Sequence, residues 1–229
     1  MDFIDERKKR IVFVSQCVLN QNVRFPGIAV CAGACTELVD GLLKNDFGIE
    51  AIPCLERLGW GGVSRKTYFR FQTIFLAWKD TPLYFVFKFL GRLWLYRYSL
   101  LCRGEAKKIA GHIRDYIDSG YSVFGIVMMN DSPTDGATKT IDLIRAVERI
   151  TSLGYDPAVM TNPKLDVMKE VIPLLCEKGE GIFTARLTRE CENLGMDIGI
   201  IGYDPWTDQE AESKRVIGEL QNAFTVAST

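Results

Sequence analysis

The composition of the chain excludes a disordered or fibrous protein. Its 229 residues are 47% hydrophobic and 25% charged, with a formal net charge of −1, which is typical of a globular domain that buries a proper core. The amino-terminal sequence MDFIDERKKR carries acids and lacks an apolar stretch, so it predicts a cytoplasmic protein without a secretory signal. The seven cysteines have no regular spacing, which argues against a disulfide framework and leaves thiol or metal chemistry open.

The first predicted elements are a strand, a helix and a second strand. The apolar run at residues 11–15 indicates the first strand, and residues 49–53 indicate the second. Between them, apolar residues recur at helical spacing and predict a helix that ends near Gly48. The recurring residues are Cys31, Cys35, Leu38, Val39 and Leu42.

Positive charge and aromatic residues are concentrated after the second strand. Between Arg57 and Cys102, Asp80 is the single acid, and 13 of the 25 aromatic residues of the chain fall there. The eight bases of this segment are Arg57, Arg65, Lys66, Arg70, Lys79, Lys88, Arg92 and Arg97. We interpret residues 67–102 as a basic, aromatic, helical insertion within a single domain that spans residues 1–229.

The elements after the insertion alternate again. Residues 105–119 predict a helix, and residues 121–130 form the strongest strand pattern of the sequence. A helix over about 138–153, a strand at 157–160 and a helix opened by Asn162 and Pro163 follow.

The last predicted elements are a helix at about 184–193, a strand within MDIGIIGYD and a closing helix. Thr207 and Glu210 have the spacing of a capping box for that closing helix. Its predicted buried residues are Val216, Ile217, Leu220 and Phe224. Strands that alternate with helices predict an α/β fold with an open, doubly wound, Rossmann-like and mostly parallel sheet.

Polar sequences follow three of the predicted strands. They are SQCVLNQNVRF from Ser15, PCLERLGWGG from Pro53 and NDSPTDGATKT from Asn130. Because ligands bind outside the carboxyl ends of the strands in such sheets, we expect these three segments to meet in one crevice. Two cysteines, a glutamate, an arginine, a serine and two aspartates would then share one site.

The segments CVLNQNVRFPG, CLERLGWGG and SPTDGATKT resemble the three motifs of the 2-thiouracil desulfurase family, in the same order. The later segment GEGIFTARLTRECENLGMDI is similar to that family's closing helix and strand. The resemblance covers residues 11 to about 203, apart from the insertion. It implies a desulfidase with a [4Fe-4S] cluster on three cysteines and one iron free for the sulfur of a thiolated nucleobase.

The resemblance assigns the metal ligands Cys17 and Cys54, and it places Asp135 where the family has its third cysteine. A carboxylate is a harder ligand than a thiolate, so Asp135 is a possible ligand of iron rather than the usual one. Leu55 replaces a proline of the second motif, whereas Glu56 matches the family. Cys31 and Cys35 offer another route to a third ligand, although their spacing favours a buried structural role.

The other predicted site residues carry catalysis or substrate binding. Glu56 and Ser132 are candidates for proton transfer, with loop capping as the alternative. Arg24, Asn20 and Asp131 are candidates for substrate binding, with a surface salt bridge or an Asx turn as the alternatives.

The sequence is compatible with two functions from different classes. The leading hypothesis is a desulfidase that acts on a thiolated nucleobase or related heterocycle and releases sulfide. The alternative is a cluster-free protein that binds a nucleotide or RNA through Arg24 and the basic insertion. We interpret the insertion itself as a lid or a homodimer arm, and we place a membrane-surface role last.

Overall fold

A computed structural model describes residues 5–227 of the backbone and the side chains of residues 5–223. Its main sheet has four parallel strands in the order β2-β1-β3-β6. The strands are β1 (Arg10–Ser15), β2 (Gly48–Ile52), β3 (Ser122–Met129) and β6 (Ile200–Tyr203). A separate antiparallel pair joins β4 (Lys139–Thr140) to β5 (Glu177–Lys178). The predicted mixed α/β architecture with a mostly parallel sheet is confirmed.

Nine α-helices lie in the described part of the chain. They are α1 (Gln16–Leu19), α2 (Thr36–Lys44), α3 (Leu55–Gly59), α4 (Lys66–Ala77), α5 (Tyr84–Asp118), α6 (Leu143–Ser152), α7 (Leu165–Leu175), α8 (Ile182–Asn193) and α9 (Gln209–Ala227). Short 3-10 helices occupy Gln21–Val23 and Pro157–Met160. None of the helices in the described residues is long and apolar enough to cross a membrane.

Helices cover both faces of the main sheet. Side chains alternate between the two faces along each strand, so neighbouring residues of β1 pack on opposite sides. Ile11 and Phe13 of β1 pack with α5 and α8 on one face. Val12 and Val14 pack with α2 and α9 on the other face. The connections from β1 to β2 and from β2 to β3 therefore pass over opposite faces of the sheet.

The insertion folds as α4 and the first half of α5. The helix predicted at 105–119 is the second half of the same 35-residue helix, which is about 52 Å long. Several aromatic rings of this region pack together over the sheet, with Trp60 stacked on Tyr68 and Trp94 stacked on Tyr98. Residues 66–77 and 84–102 of this region are helical.

The predicted strand at 157–160 is wrong. Pro157 stands in the first turn of a 3-10 helix, and the side chain of Asp156 accepts a hydrogen bond from the backbone N–H of Ala158. Proline fixes φ near the helical value and an aspartate cap satisfies a free N–H, so local turn chemistry decides the conformation here.

The predicted helix start at Cys31 is also wrong. α2 begins at Thr36, so Cys31 and Cys35 precede it. The backbone N–H of Cys35 donates to the carbonyl of Val18, and Gln21 donates to the carbonyl of Gly33. These long-range hydrogen bonds hold the segment as a loop. The two cysteines therefore lie before the helix, although their spacing is helical.

Two predicted helix caps are replaced by neighbouring residues. α7 begins at Leu165, after Lys164 rather than after Asn162. At α9, Asp208 accepts a hydrogen bond from the backbone N–H of Ala211, so Asp208 is the cap. Thr207 instead donates to the carbonyl of Asp204. Val216 and Leu220 are buried as expected, and the side chain of Phe224 lies outside the described residues.

Candidate functional site

The candidate site is a pocket at the carboxyl edge of the main sheet. The chain leaves β1 towards α2 on one face, whereas after β3 it reaches α8 on the opposite face. The loops that follow β1 and β3 therefore separate and leave a crevice between them, as at the ligand sites of open α/β sheets. The loop after β2 borders the same crevice.

The pocket brings together seven of the eight sequence-predicted site residues. They are Cys17, Arg24, Cys54, Glu56, Asp131, Ser132 and Asp135. Its volume is about 80 Å³, which is enough for several water molecules or a small ligand. The polar residues come from all three strand ends, so the predicted crevice exists in the fold.

A hydrogen-bonded chain connects Cys17 to Asp135 through Ser15. The hydroxyl of Ser15 donates to Asp135 Oδ2 over 2.6 Å. Because this donation uses the single hydroxyl proton, the thiol of Cys17 donates to Ser15 Oγ, 3.2 Å away. Burial raises the pKa of Asp135 to about 6. Burial, followed by the neighbouring Asp135, raises the pKa of the Cys17 thiol well above its usual range.

The other oxygen of Asp135 has no partner. Oδ1 is buried and makes no hydrogen bond within the described structure, while the whole residue is 4% exposed. An unsatisfied buried acceptor costs free energy unless something binds it. This atom lies on a residue that lines the pocket, so it is a candidate contact for a ligand or a metal.

Cys54 and Glu56 share the guanidinium group of Arg65. Arg65 Nη2 donates to Cys54 Sγ over 3.2 Å, and Arg65 Nε lies 3.8 Å from Glu56 Oε2. The Arg65 side chain is completely buried. Burial raises the pKa of Glu56 to about 7, although the charge of Arg65 opposes this shift. Burial likewise raises the pKa of the Cys54 thiol to about 12.

Ser132 holds the third loop against Glu56. Its hydroxyl donates to Glu56 Oε1 over 3.1 Å. The same oxygen accepts hydrogen bonds from the backbone N–H groups of Thr134 and Asp135 at 3.1 and 3.0 Å. These three hydrogen bonds fix the orientation of the Ser132 hydroxyl, with its proton directed at the carboxylate of Glu56. Ser132 both shapes the loop and contacts the predicted proton-transfer residue.

Arg24 and Asp131 form a buried ion pair. Arg24 Nη2 donates to Asp131 Oδ2 over 3.0 Å, and both side chains are almost completely buried. The indole N–H of Trp206 donates to the same carboxylate oxygen, and the guanidinium lies over the Trp206 ring. Arg24 Nη1 is buried and has no acceptor in the described structure. The NH2 group at Nη1 is thus a candidate donor to a ligand.

The remaining walls of the pocket are apolar. They include Phe25, Ile28, Leu143, Met160, Met168, Ile172 and Leu175. Several of these residues belong to α6, α7 and the 3-10 helix Pro157–Met160, which share a small core of their own. The pocket therefore combines a polar base at the sheet edge with an apolar cover.

Two groups of predicted residues lie apart from the pocket lining. Asn20 accepts hydrogen bonds from the backbone and side-chain N–H groups of Asn22 and caps a 3-10 helix. Cys35 is completely buried next to Gln21 and Tyr203. Cys31 contacts Gln209 near the start of α9.

Three further residues contact the site residues although the sequence did not mark them, namely Arg65, Ser15 and Trp206. Arg65 is one of the eight bases between Arg57 and Cys102, yet it follows the glycines of the second motif and has a left-handed backbone, φ 51°. Trp206 follows the carboxyl end of β6, which is the same edge that carries the other polar loops. For Trp206, its position just after a strand was the available signal.

Comparison with known proteins gives a short match. A segment of 53 residues is 45% identical to the uncharacterized protein MJ0003 from Methanocaldococcus jannaschii. The match covers 23% of this chain and 34% of that relative, so the chain spans about a third of the relative's length. No family model and no solved structure matches the chain.

Proposed function

We propose that the pocket is the active site of a desulfidase that removes sulfur from a thiolated heterocycle. The observation that carries the proposal is the meeting of Cys17, Cys54, Glu56, Ser132 and Asp135, from three separate strand ends, in one pocket. The sheet order and the helices on both faces support a doubly wound, Rossmann-like classification. Free thiols in the site suit a reducing compartment such as the cytoplasm.

We further propose that Cys17, Cys54 and Asp135 hold a [4Fe-4S] cluster. Both thiols line the pocket, and Asp135 Oδ1 is a buried acceptor without a partner. The described residues contain no set of three side chains spaced for a single metal ion. The proposal of a cluster therefore rests on the chemistry of the three donors and on the unpartnered Asp135 Oδ1, and not on their spacing.

Deprotonation of the two thiols would accompany binding of the cluster. Their raised pKa values belong to the metal-free protein, and coordination to a cation deprotonates a thiol outright. Arg65 Nη2 already points at Cys54 Sγ, and a hydrogen bond to a ligand sulfur tunes the potential of an iron-sulfur centre. When bound, the cluster would supply a Lewis-acidic iron for the sulfur of the substrate.

Glu56 and Ser132 handle protons in this proposal. Glu56 lies in the pocket next to Arg65, which can stabilise its ionised form, and Ser132 donates to its Oε1. A carboxyl group with a pKa of about 7 can accept a proton from water and return it near neutral pH.

The pocket walls favour a neutral ring as the substrate. Phe25, Leu143 and Met160 can contact the faces and edges of an unsaturated ring. The free N–H of Arg24 can donate to a carbonyl or thiocarbonyl group of that ring. Arg24 is therefore a positioning residue, held in place by Asp131 and Trp206.

The cluster-free nucleotide- or RNA-binding protein is the second candidate. One observation favours it, because the two thiols already have partners within the chain, Ser15 and Arg65. The charges of the pocket count against it. Three buried carboxyl groups face two arginines there, and ionised carboxylates disfavour a phosphate group at close range.

The test is iron and acid-labile sulfide per chain after strictly anaerobic purification. We expect about four irons in the wild-type protein and a large loss in Cys17→Ala and Cys54→Ala. Cys191→Ala is the matched control, since Cys191 is buried in α8 away from the pocket lining. Anaerobic wild-type protein should also release sulfide from 2-thiouracil. A wild-type protein without iron and without sulfide release would refute the proposal.

A further inference from the structure

The first half of α5 exposes a continuous apolar face. Val86, Phe89, Leu93, Tyr96 and Leu100 follow one another at alternating spacings of three and four residues, so they lie on one side of the helix. All five are exposed, and Phe89 and Tyr96 reach 59% and 61%. Phe85 and Leu90 border the same side and are also exposed. We call these seven residues the α5 face.

The opposite side of the same helix segment is apolar as well. Trp94, Tyr98 and Cys102 pack against the core of the domain. Gly91 fits closely there, since an added Cβ would lie 2.9 Å from Ile144. A helix that is apolar all round is normally buried on all sides. The α5 face is therefore a surface that lacks an apolar neighbour in the isolated chain.

The charges beside the α5 face are of one sign. The sequence from residue 81 to residue 104 contains no acid. Lys88 pairs with Glu148 on α6, whereas Arg92 and Arg97 are exposed and have no acidic partner in the described part of the chain. Two free guanidinium groups beside an apolar face complement an anionic apolar partner.

A second copy of this helix fits the charges poorly. Spacings of three and four residues also suit a two-stranded coiled coil, in which Arg92 and Arg97 would take the flanking g and e positions. A parallel pair would place Arg92 of one copy against Arg97 of the other. An antiparallel pair would bring each arginine against itself, so both orientations place like charges together.

We propose that the α5 face docks on the surface of an anionic lipid bilayer, with the helix lying in the plane of the interface. The aromatic and leucine side chains would enter the boundary between headgroups and acyl chains. Arg92 and Arg97 would contact the lipid phosphates. This inference does not depend on the proposed desulfidase function, because none of the seven residues lines the pocket.

The test is co-sedimentation of the full chain with vesicles at low ionic strength. We expect binding to phosphatidylcholine mixed with phosphatidylglycerol and much weaker binding to phosphatidylcholine alone. Phe89→Glu and Leu93→Glu should abolish binding. Arg92→Gln and Arg97→Gln should each weaken it about five-fold. Leu43→Glu is the matched control, because Leu43 is 57% exposed on α2 and should leave binding unchanged.

Three results would overturn the proposal. The first is wild-type protein that stays in the supernatant with anionic vesicles. The second is binding that survives Leu93→Glu. The third is light scattering in the absence of lipid that shows a wild-type dimer and a Leu93→Glu monomer, since a second copy would then occupy the face. Circular dichroism and thermal unfolding of each variant check that the fold is retained.

Discussion

Arg65 Nη2 donates a hydrogen bond to Cys54 Sγ over 3.2 Å, which ties the beginning of α4 to the second cysteine of the site. The same nitrogen also donates to the carbonyl of Val23 over 2.7 Å. One guanidinium group thus connects the loop after β1 with the loop after β2. Its third neighbour is the carboxylate of Glu56, so Arg65 is the central cation of the pocket.

Arg65→Met should destabilise the protein strongly. Removal of one partner of a buried ion pair costs about 3 to 5 kcal/mol, since the other charge remains buried. The loss should be larger at pH 8 than at pH 5, because Glu56 has a pKa of about 7 and is ionised at pH 8. Urea unfolding at both pH values measures the effect.

Arg92→Met serves as the control for this substitution. Arg92 is exposed and unpaired in the described structure, so its loss should change the free energy of unfolding by less than about 0.5 kcal/mol. An Arg65→Met protein that loses under about 1 kcal/mol at pH 8 would contradict the central role of this side chain.

Glu56→Gln should change the pH dependence of stability in metal-free protein. Burial raises the pKa of Glu56 from its ordinary value of 4.5 to about 7 in the folded state. Between these two values the folded protein binds more protons than the unfolded chain. Glu56 therefore contributes stability below pH 4.5 that is lost as the pH rises through 7.

The slope of stability against pH measures this contribution. Replacement by glutamine should flatten the fall between pH 5 and pH 7 by about 1 kcal/mol per pH unit. Glu37→Gln, at an exposed position of α2, should leave the slope unchanged. Identical slopes for wild type and Glu56→Gln would show that the carboxyl group of Glu56 titrates normally.

Much of the fold could be predicted because the relevant signals are local. The buried runs that become β1, β2 and β3 and the apolar stripe of α6 depend on residues that are close in sequence. The carboxyl ends of parallel strands share one edge of the sheet. The sequence alone therefore predicts that Cys17, Cys54 and Asp135 lie near one another. The insertion could be predicted as helical for the same local reason.

Other features depend on contacts that no local pattern contains. Arg65 reads as one more base of a basic segment, and its burial depends on the Val23 carbonyl and on Glu56. Trp206 joins the site because β6 pairs with β3 and carries its loop to Asp131. The apolar cover from α6 and α7 reaches the pocket through tertiary packing alone.

Trp206→Phe should weaken the positioning of Arg24. The substitution keeps an aromatic ring beside the guanidinium but removes the indole N–H that donates to Asp131. A lost hydrogen bond to a charged group costs about 1.5 to 3 kcal/mol of stability. If the protein turns over 2-thiouracil as proposed, the same change should raise KM more than it lowers kcat, because Arg24 would hold the substrate through its carbonyl group.

Trp78→Phe is the matched control for Trp206→Phe. Trp78 is half-exposed at the end of α4 and stacks on Phe87, and neither residue lines the pocket. It should change stability by less than about 0.5 kcal/mol and leave KM unaltered. Equal effects of the two substitutions would show that Trp206 does not position Arg24.

Asp135→Asn should separate the stability of the chain from its capacity to hold iron. Burial raises the pKa of Asp135 from 3.8 to about 6, so the ionised carboxylate destabilises the metal-free protein above that pH. Asparagine keeps the shape and can still accept from Ser15. We expect it to raise the free energy of unfolding at pH 8 by about 1 to 3 kcal/mol, with little gain at pH 4.

Asp135→Asn should be more stable than the wild type at pH 8 but should hold less iron. A neutral amide is a weak ligand of iron, so Asp135→Asn should lose most of the cluster, whereas Asp135→Cys should retain about four irons per chain. These two results together would show that Asp135 lowers the stability of the folded chain and is retained because it binds iron. Full iron retention by Asp135→Asn would instead show that the cluster takes its third ligand elsewhere, with Asp135 acting through Ser15 alone.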